Sequence, residues 1–192
     1  MCFPNPSGVE KQFQMDTEKT LTAFKAHVAK WKELVEKYEL EELTRKPNDA
    51  SWSLGQVCYH VIKVHEAFYM KHAWQCLHQE EGATKSGGSK NFMGRIIFFF
   101  KSIPPMKIKM PASHAFEPPQ PESKKQLSED FDKMVEQMDA VYAQLPHADL
   151  NIRSKHPMLD MLNAWEWFQG AVFHAKHHFL QAKRVEKFLG VN

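Results

Sequence analysis

Two long segments of the sequence carry apolar residues at alternating steps of three and four. In the first segment these residues are Leu21, Phe24, Val28, Trp31, Val35 and Tyr38. In the second they are Leu127, Phe131, Met134, Met138, Val141 and Leu145, and Pro146 follows directly. This spacing puts the apolar side chains in one stripe along a helix. Narrow stripes are typical of helices that pack as antiparallel neighbours in a bundle, so the pattern favours long packed helices over a sheet.

Two further helices are predicted from their start signals. Ser53 is followed three residues later by Gln56, and Asn163 is followed three residues later by Glu166. A short polar side chain with Glu or Gln at this distance is the capping-box pattern of a helix N-terminus. The sequence therefore predicts an all-α fold. It is a four-helix bundle with long helices near residues 16–40, 53–78, 122–145 and 163–189, and it contains no strand.

A long irregular connection separates the second predicted helix from the third. It runs from about Glu80 to Pro121, and six of the 11 prolines of the chain fall in its last 18 residues. Proline interrupts a helix, so no long helix is predicted there. The apolar stretch Asn91–Lys101 is predicted to form one short helix over the end of the bundle. A connection of this length suits a crossover between helices that are not adjacent.

Length and composition are those of one globular domain. The 192 residues are 43% hydrophobic, and the formal net charge is only +2. We therefore predict a single domain over residues 1–192, with residues 1–15 loosely ordered, and neither nucleic acid nor a membrane as a partner. The first residues have no basic region and no apolar core, so no signal peptide is predicted. Three unpatterned cysteines, Cys2, Cys58 and Cys76, are typical of reduced thiols and predict a cytoplasmic protein.

Histidines supply the chemistry that the sequence offers. The chain has 11 of them, and neutral imidazole is the commonest metal ligand in proteins. On the fourth helix, His178 lies about 40° round from His174 and one turn further along, so the two share a face. His177 falls at the edge of that face. His60, on the inward side of the second helix, is the best third ligand. Three imidazoles leave a fourth position open, as in catalytic metal sites.

Spacing by itself leaves a second interpretation open. A His-x-x-x-His pattern arises by chance in a chain with many histidines, and a histidine on an apolar face is often a structural residue. Five histidines outside these helix faces, several of which we expect at the surface, are His65, His72, His78, His114 and His147. Cys58 and Cys76 lie away from the His60 direction and are predicted to be inert packing residues.

Several motifs resemble those of the DinB-like, or YfiT-like, superfamily. The segment from Trp52 to His60 resembles the start of the second helix in that superfamily, where a Trp-Ser opening precedes one metal-binding histidine. Further along, His156-Pro157, then Glu166-Trp167, then His174-x-x-x-His178 with Gln181 three residues later, agree in order and spacing. The resemblance covers roughly residues 40–190. Asp160 departs from it, because many relatives carry Gly at that position.

The resemblance implies an up-down-down-up four-helix bundle that binds one divalent metal ion through His60, His174 and His178. Zinc, nickel and iron are the ions that we expect there. Relatives of this kind include transferases that use a low-molecular-weight thiol and metal-dependent hydrolases. The resemblance thus implies a metal-dependent thiol S-transferase or hydrolase that acts on a small molecule. The alternative is a non-catalytic bundle that binds a partner and holds a structural metal ion or none.

A homodimer is also predicted. Phe168, Val172 and Phe179 lie about 120–160° round the fourth helix from His174 and are rimmed by charged residues. Packing of some of this surface against a neighbouring helix of the same chain is the other interpretation of the stripe. A self-association patch has the same composition, and DinB-like proteins often resemble dimers, which leads us to expect a homodimer.

Overall fold

The computed structural model describes residues 8–85, 87–104 and 117–190. Most of the described residues are helical, in elements with these bounds: α1 Gly8–Lys37, α2 Leu40–Thr44, α3 Leu54–Val64, α4 Lys71–His78, α5 Phe92–Phe100, α6 Lys124–Gln144, α7 Ala164–His177 and α8 Phe179–Leu189. A π-helical turn, His65–Met70, joins α3 to α4, and a 3-10 turn, Leu145–His147, follows α6. The all-α prediction is confirmed for the main body of the fold.

The two apolar stripes form the core of the bundle. Each of the 12 predicted residues is buried, and Trp31 and Phe131, one from each stripe, stack with their ring centroids 6.2 Å apart. The capping residues also act as predicted. Ser53 accepts a hydrogen bond from the backbone N–H of Gln56, and Asn163 accepts one from that of Glu166. Local sequence thus determines where these helices begin and which face of each helix is buried.

Contacts between the helices define the direction of each one. Lys25 pairs with Asp139 and Lys32 pairs with Asp132, so α1 and α6 are antiparallel. The ring of Phe13 contacts Trp165, and Lys37 pairs with Glu186, so α1 runs parallel to α7 and α8. The second helical segment, α3 to α4, is antiparallel to the fourth, α7 to α8. His60 contacts His178, whereas His72, further along the second segment, contacts Trp167, which lies earlier in the fourth. The bundle is therefore up-down-down-up, as the resemblance implied.

A small antiparallel sheet corrects the prediction that the chain contains no strand. Its strands are β1 Ala83–Thr84, β2 Arg153–His156 and β3 Asp160–Asn163, in the order β1-β2-β3. In the central hairpin Ser154 pairs with Leu162, and His156 with Asp160. The inward side chains of β2 are Ser154 and His156, both polar, so this strand lacks the apolar alternation by which a strand is predicted. The sheet covers one end of the bundle.

The connection between the second and third long helices contains the short helix that was predicted. This helix is α5, and Asn91 caps it by accepting a hydrogen bond from the N–H of Gly94. Asn91 also donates to the carbonyl of Met158 in the hairpin loop, which fixes α5 against the sheet. Strand β1 lies in this connection too, so the connection is more regular than predicted. Residues 105–116 lie outside the described part of the chain.

The first helix begins earlier in the chain than predicted. Helix α1 begins at Gly8, inside the segment 1–15 that was expected to be loosely ordered, although Val9 and Met15 are exposed. Residues 1–7, which include Cys2, lie outside the described residues. Within the described ranges, none of the helices is both long enough and apolar enough to cross a lipid bilayer.

The stripe that suggested a homodimer is part of the core. Phe168 is fully buried and Val172 nearly so, and Phe179 stacks on Trp31 with ring centroids 4.5 Å apart. These three residues therefore pack within one chain, which was the other interpretation of the stripe. The homodimer prediction now rests on the family resemblance alone, and light scattering tests it.

Candidate metal centre

The three histidines singled out from the sequence meet between the second and fourth helical segments. His60 lies two turns into α3, and His174 lies in the last turn of α7. His178 occupies the junction between α7 and α8, where the indole N–H of Trp31 donates to the carbonyl of Ala175 at 3.2 Å. The core of the bundle therefore holds the segment that carries two of the three rings.

The ring nitrogens converge on one point. The Nε2 atoms are 3.2 Å apart between His60 and His178, 3.3 Å between His60 and His174, and 3.1 Å between His174 and His178. Hydrogen bonds cannot satisfy all three contacts, because each Nε2 of a neutral imidazole is either a donor or an acceptor. A tetrahedral ion with Nε2 ligands at about 2.0–2.1 Å would hold them about 3.3 Å apart. The geometry fits a tetrahedral metal site with one open position.

Burial keeps these rings neutral. It lowers the pKa of His60 to about 4, with a smaller contribution from His177. Burial and the neighbouring His60 lower the pKa of His178 to about 3, and burial with His178 holds the pKa of His174 well below its ordinary value. A neutral imidazole has a nitrogen lone pair for a metal ion, whereas a protonated one has none. The site therefore keeps its ligand atoms available well below neutral pH.

Side chains around the triad of His60, His174 and His178 orient its rings. The Oε1 atom of Gln181 lies 3.0 Å from Nδ1 of His178 and accepts its hydrogen, which leaves the lone pair on Nε2. The ring of Trp52 lies 5.0 Å from that of His60, and the ring of Tyr69 lies 5.4 Å from that of His174. Gln181 belongs to a motif visible in the sequence. The contacts of Trp52 and Tyr69 depend on tertiary packing and were not predicted.

His177 does not join the triad. It is half-buried, as expected for the edge of the inward face, and its Nδ1 has no hydrogen-bond partner among the described residues. The sequence predicted several of the remaining histidines at the surface without saying which ones, and His65 is not among the surface residues. It is 2% exposed, and its ring stacks on Phe24 with centroids 5.1 Å apart, so it lies in the core. His114 lies outside the described residues.

A second group of histidines, which the sequence did not predict, surrounds Trp167. The rings of His72 and His156 lie 4.6 and 5.2 Å from that of Trp167, in nearly parallel planes, and Phe68 packs edge-on against all three. The Nδ1 atom of His156 accepts hydrogen bonds from the N–H groups of Met158 and Leu159. We call this group the Trp167 stack. The stack consists of His72 in α4, His156 in β2 and Trp167 in α7, and no local sequence pattern joins these three residues.

Cysteine chemistry is remote from the triad. Cys58 is fully buried, and burial raises the pKa of its thiol to about 12, which makes the thiolate scarce. The Sγ atom of Cys76 lies 3.3 Å from Oγ of Ser154, beneath the sheet. Both cysteines are packing residues, as predicted. Among the described residues, the only group of three or more His, Cys, Asp or Glu side chains arranged to hold a metal ion is the triad.

Comparison with known proteins agrees with this architecture. The chain is similar over its whole length to YfiT from Bacillus subtilis, described as "a probable metal-dependent hydrolase with an unusual four-helix bundle topology". The two chains are 15% identical, the match covers 94% of the YfiT chain, and the TM-score is 0.53, a likeness of fold. No curated protein sequence matches the chain. The profile of the DinB superfamily matches residues 23–182, which is most of the chain. The protein therefore belongs to the DinB superfamily.

Proposed function

We propose that this protein is a metal-dependent enzyme that binds one divalent ion through His60, His174 and His178 and acts on a small molecule as a hydrolase. The observation that supports this most is the convergence of three neutral Nε2 atoms at 3.1–3.3 Å. Three protein ligands leave a fourth position for water or substrate, whereas structural zinc sites are closed by four. The likeness to YfiT supports the same class of activity.

The residues of the site perform the binding and positioning steps. A divalent ion held there supplies Lewis-acid chemistry, which lowers the pKa of a bound water to about 7 or deprotonates a bound thiol. The triad fixes the open position in space, and Gln181 keeps the ring of His178 in the tautomer that binds metal. Trp52 and Tyr69 cover His60 and His174 with aromatic surface, which limits the access of water to the ligands.

Thiol S-transfer is the second candidate reaction, and the ligand set is compatible with it. The triad contains no carboxylate, so a bound divalent ion would keep its full double positive charge and attract an anionic ligand such as a thiolate. Zinc, nickel and iron are the ions that we propose, because each accepts imidazole ligands. A cytoplasmic location, where low-molecular-weight thiols are reduced, is part of this proposal.

One experiment separates these functions from a non-catalytic role. Untagged protein is purified, its metal content is measured, and the ion is removed by a chelator and then restored. We expect about one equivalent of metal, intact helices after removal, and metal-dependent turnover either of an ester panel or of a thiol with a bimane electrophile. His174→Ala protein is the control and should be inactive in both assays. Unfolding upon removal of the metal would instead show a structural site.

A further inference from the structure

Helix α5 presents an unusual surface for a small helical bundle. Nine large apolar side chains are exposed among the described residues, and five of them lie on this one nine-residue helix. They are Phe92 at 80% exposure, Met93 at 47%, Ile96 at 37%, Phe99 at 80% and Phe100 at 68%. Single exposed apolar residues are ordinary, whereas a contiguous patch marks an interaction site.

The exposed residues form one face of α5. At 100° per residue they fall within an arc of about 120°, from Phe99 through Phe92 to Met93. The opposite side of the helix packs on the bundle, where Gly94 and Ile97 are buried and the ring of Phe98 lies 5.5 Å from that of Phe173. The helix is thus anchored by one face and offers a second apolar face outward. We call this outward face the α5 patch.

The segment of the sequence that contains α5 is rich in basic residues. Between Gly82 and Phe116 the sequence contains six Lys and Arg residues and no Asp or Glu, although the whole chain is nearly balanced. Lys85 pairs with Asp149 and Lys90 with Glu166. Arg95 and Lys101 are exposed, and neither forms an ion pair with any residue in the described ranges. The expectation of no membrane partner came from the net charge, which conceals this local excess.

We propose that the α5 patch is a docking surface for an anionic lipid bilayer. An apolar face with basic residues beside it that form no ion pair with a described residue, here Arg95 and Lys101, is the pattern by which a helix lies in the interface of a membrane. The apolar side chains would enter the boundary of the acyl chains while Arg95 and Lys101 contact the headgroups. A second copy of the chain fits less well, because a two-fold contact through this patch brings the same uncompensated cations together.

Co-sedimentation with vesicles tests this proposal. Full-length protein is mixed with vesicles of phosphatidylcholine, with or without phosphatidylglycerol, at low and high salt. We expect binding to the phosphatidylglycerol vesicles, weakened by salt, and little binding to the neutral ones. The affinity of the double variant Phe99→Ser with Phe100→Ser for these vesicles should fall by about tenfold or more, because neither position keeps an aromatic side chain to bury in lipid. Arg95→Gln and Lys101→Gln should each reduce binding about fivefold.

A matched control uses the same substitution elsewhere. Phe188 on α8 is 45% exposed, so Phe188→Ser should leave vesicle binding unchanged. Circular dichroism and the melting temperature verify that each variant is folded. The proposal is overturned when no vesicle sediments the protein, or when the variant with Phe99→Ser and Phe100→Ser binds as the natural protein does. A dimer in light scattering that this variant dissociates, without vesicle binding, would assign the patch to self-association instead.

Discussion

Two groups of histidines lie side by side in this protein, and they differ in what their ring nitrogens contact. In the triad, the Nε2 atoms of His60, His174 and His178 face one another and have no donor or acceptor to satisfy them all. In the Trp167 stack, by contrast, Nδ1 of His156 accepts two backbone N–H groups. Tyr69 separates the groups, with its ring 5.4 Å from that of His174 and 6.0 Å from that of Trp167.

Electrostatics does not distinguish the two groups. Burial lowers the pKa of His60 and the pKa of His156 to about 4 in each case. A strongly lowered histidine pKa therefore reports burial here and not a metal site. The contacts of the nitrogens carry the distinction. Backbone N–H groups use Nδ1 of His156, as is typical of a structural residue, whereas the three Nε2 atoms of the triad converge on one point and could hold a metal ion.

The largest difference between the groups is expected in metal binding. His174→Ala removes one of three ligands and should abolish stoichiometric binding of a divalent ion, with the helices intact. Elemental analysis after dialysis against zinc measures the bound metal, and circular dichroism measures the helices. His72→Ala, in the Trp167 stack, is the control and should retain one equivalent. Retention of one equivalent by the His174→Ala protein would remove the distinction between the groups.

The free energy of unfolding should depend strongly on the Trp167 stack, which is not expected to affect metal binding. His156→Ala leaves the N–H groups of Met158 and Leu159 without their acceptor and removes a ring from the stack. We expect the free energy of unfolding to fall by about 2–3 kcal/mol, with metal stoichiometry unchanged. Urea denaturation measures the loss. His156→Asn, whose Oδ1 atom accepts from nearby backbone N–H groups, should recover part of it. Equal losses for Ala and Asn would show that these hydrogen bonds contribute little.

A smaller effect is expected from the residue that orients a ligand. Gln181→Leu removes the acceptor for the Nδ1 hydrogen of His178, so the ring is no longer held in the tautomer that binds metal. Loss of such a partner lowers metal affinity about 10–100-fold, and we expect that range with unchanged thermal stability. Competition with a chromogenic chelator measures the affinity. Gln181→Glu keeps an acceptor and should retain near-natural affinity. An unaltered affinity for Gln181→Leu would assign Gln181 no role in the site.

A further predicted effect is the pH dependence that the Trp167 stack adds to stability. Burial and the nearby His72 lower the pKa of His156 from 6.5 to about 4 in the folded protein. The unfolded chain then binds a proton that the folded protein does not between these values. The stabilising contribution of the neutral His156 ring is full above about pH 6.5 and is lost as the pH falls towards 4. The free energy of unfolding decreases through this group by at most about 1.4 kcal/mol per pH unit.

Urea denaturation of the metal-free protein across this range measures the slope. The His156→Asn variant should lose stability less steeply between pH 6.5 and 4 than the natural protein does. Identical slopes in the two proteins would show that His156 takes up its proton as readily in the folded state as in the unfolded chain.

The features that were predicted correctly come from local sequence. Helix stripes and capping boxes depend on residues three or four apart, and the pairing of His174 with His178 is a local spacing of the same kind. His60 could be added because it lies on the inward side of a helix whose start is fixed by Ser53. The ligand set itself rested on combining this placement with the family resemblance.

The features that were missed depend on tertiary contacts. The hairpin of β2 and β3 has polar inward residues on β2, so its pairing has no apolar signature. The π-helical turn shifts the register of the second helical segment, which brings Tyr69 against Gly170, where any Cβ atom would lie 2.7 Å from its ring. Asp160 stands at a left-handed position, with φ of 69°, which explains why glycine suits this position in relatives.

The central claim is that the triad, and not the Trp167 stack, is the metal site. Anomalous diffraction from crystals grown with zinc tests it most directly, because the signal locates the ion without reference to the protein atoms. We predict one strong anomalous peak about 2.0–2.1 Å from the Nε2 atoms of His60, His174 and His178. A peak beside His72 and His156, or none at the triad with zinc in excess, would contradict the claim.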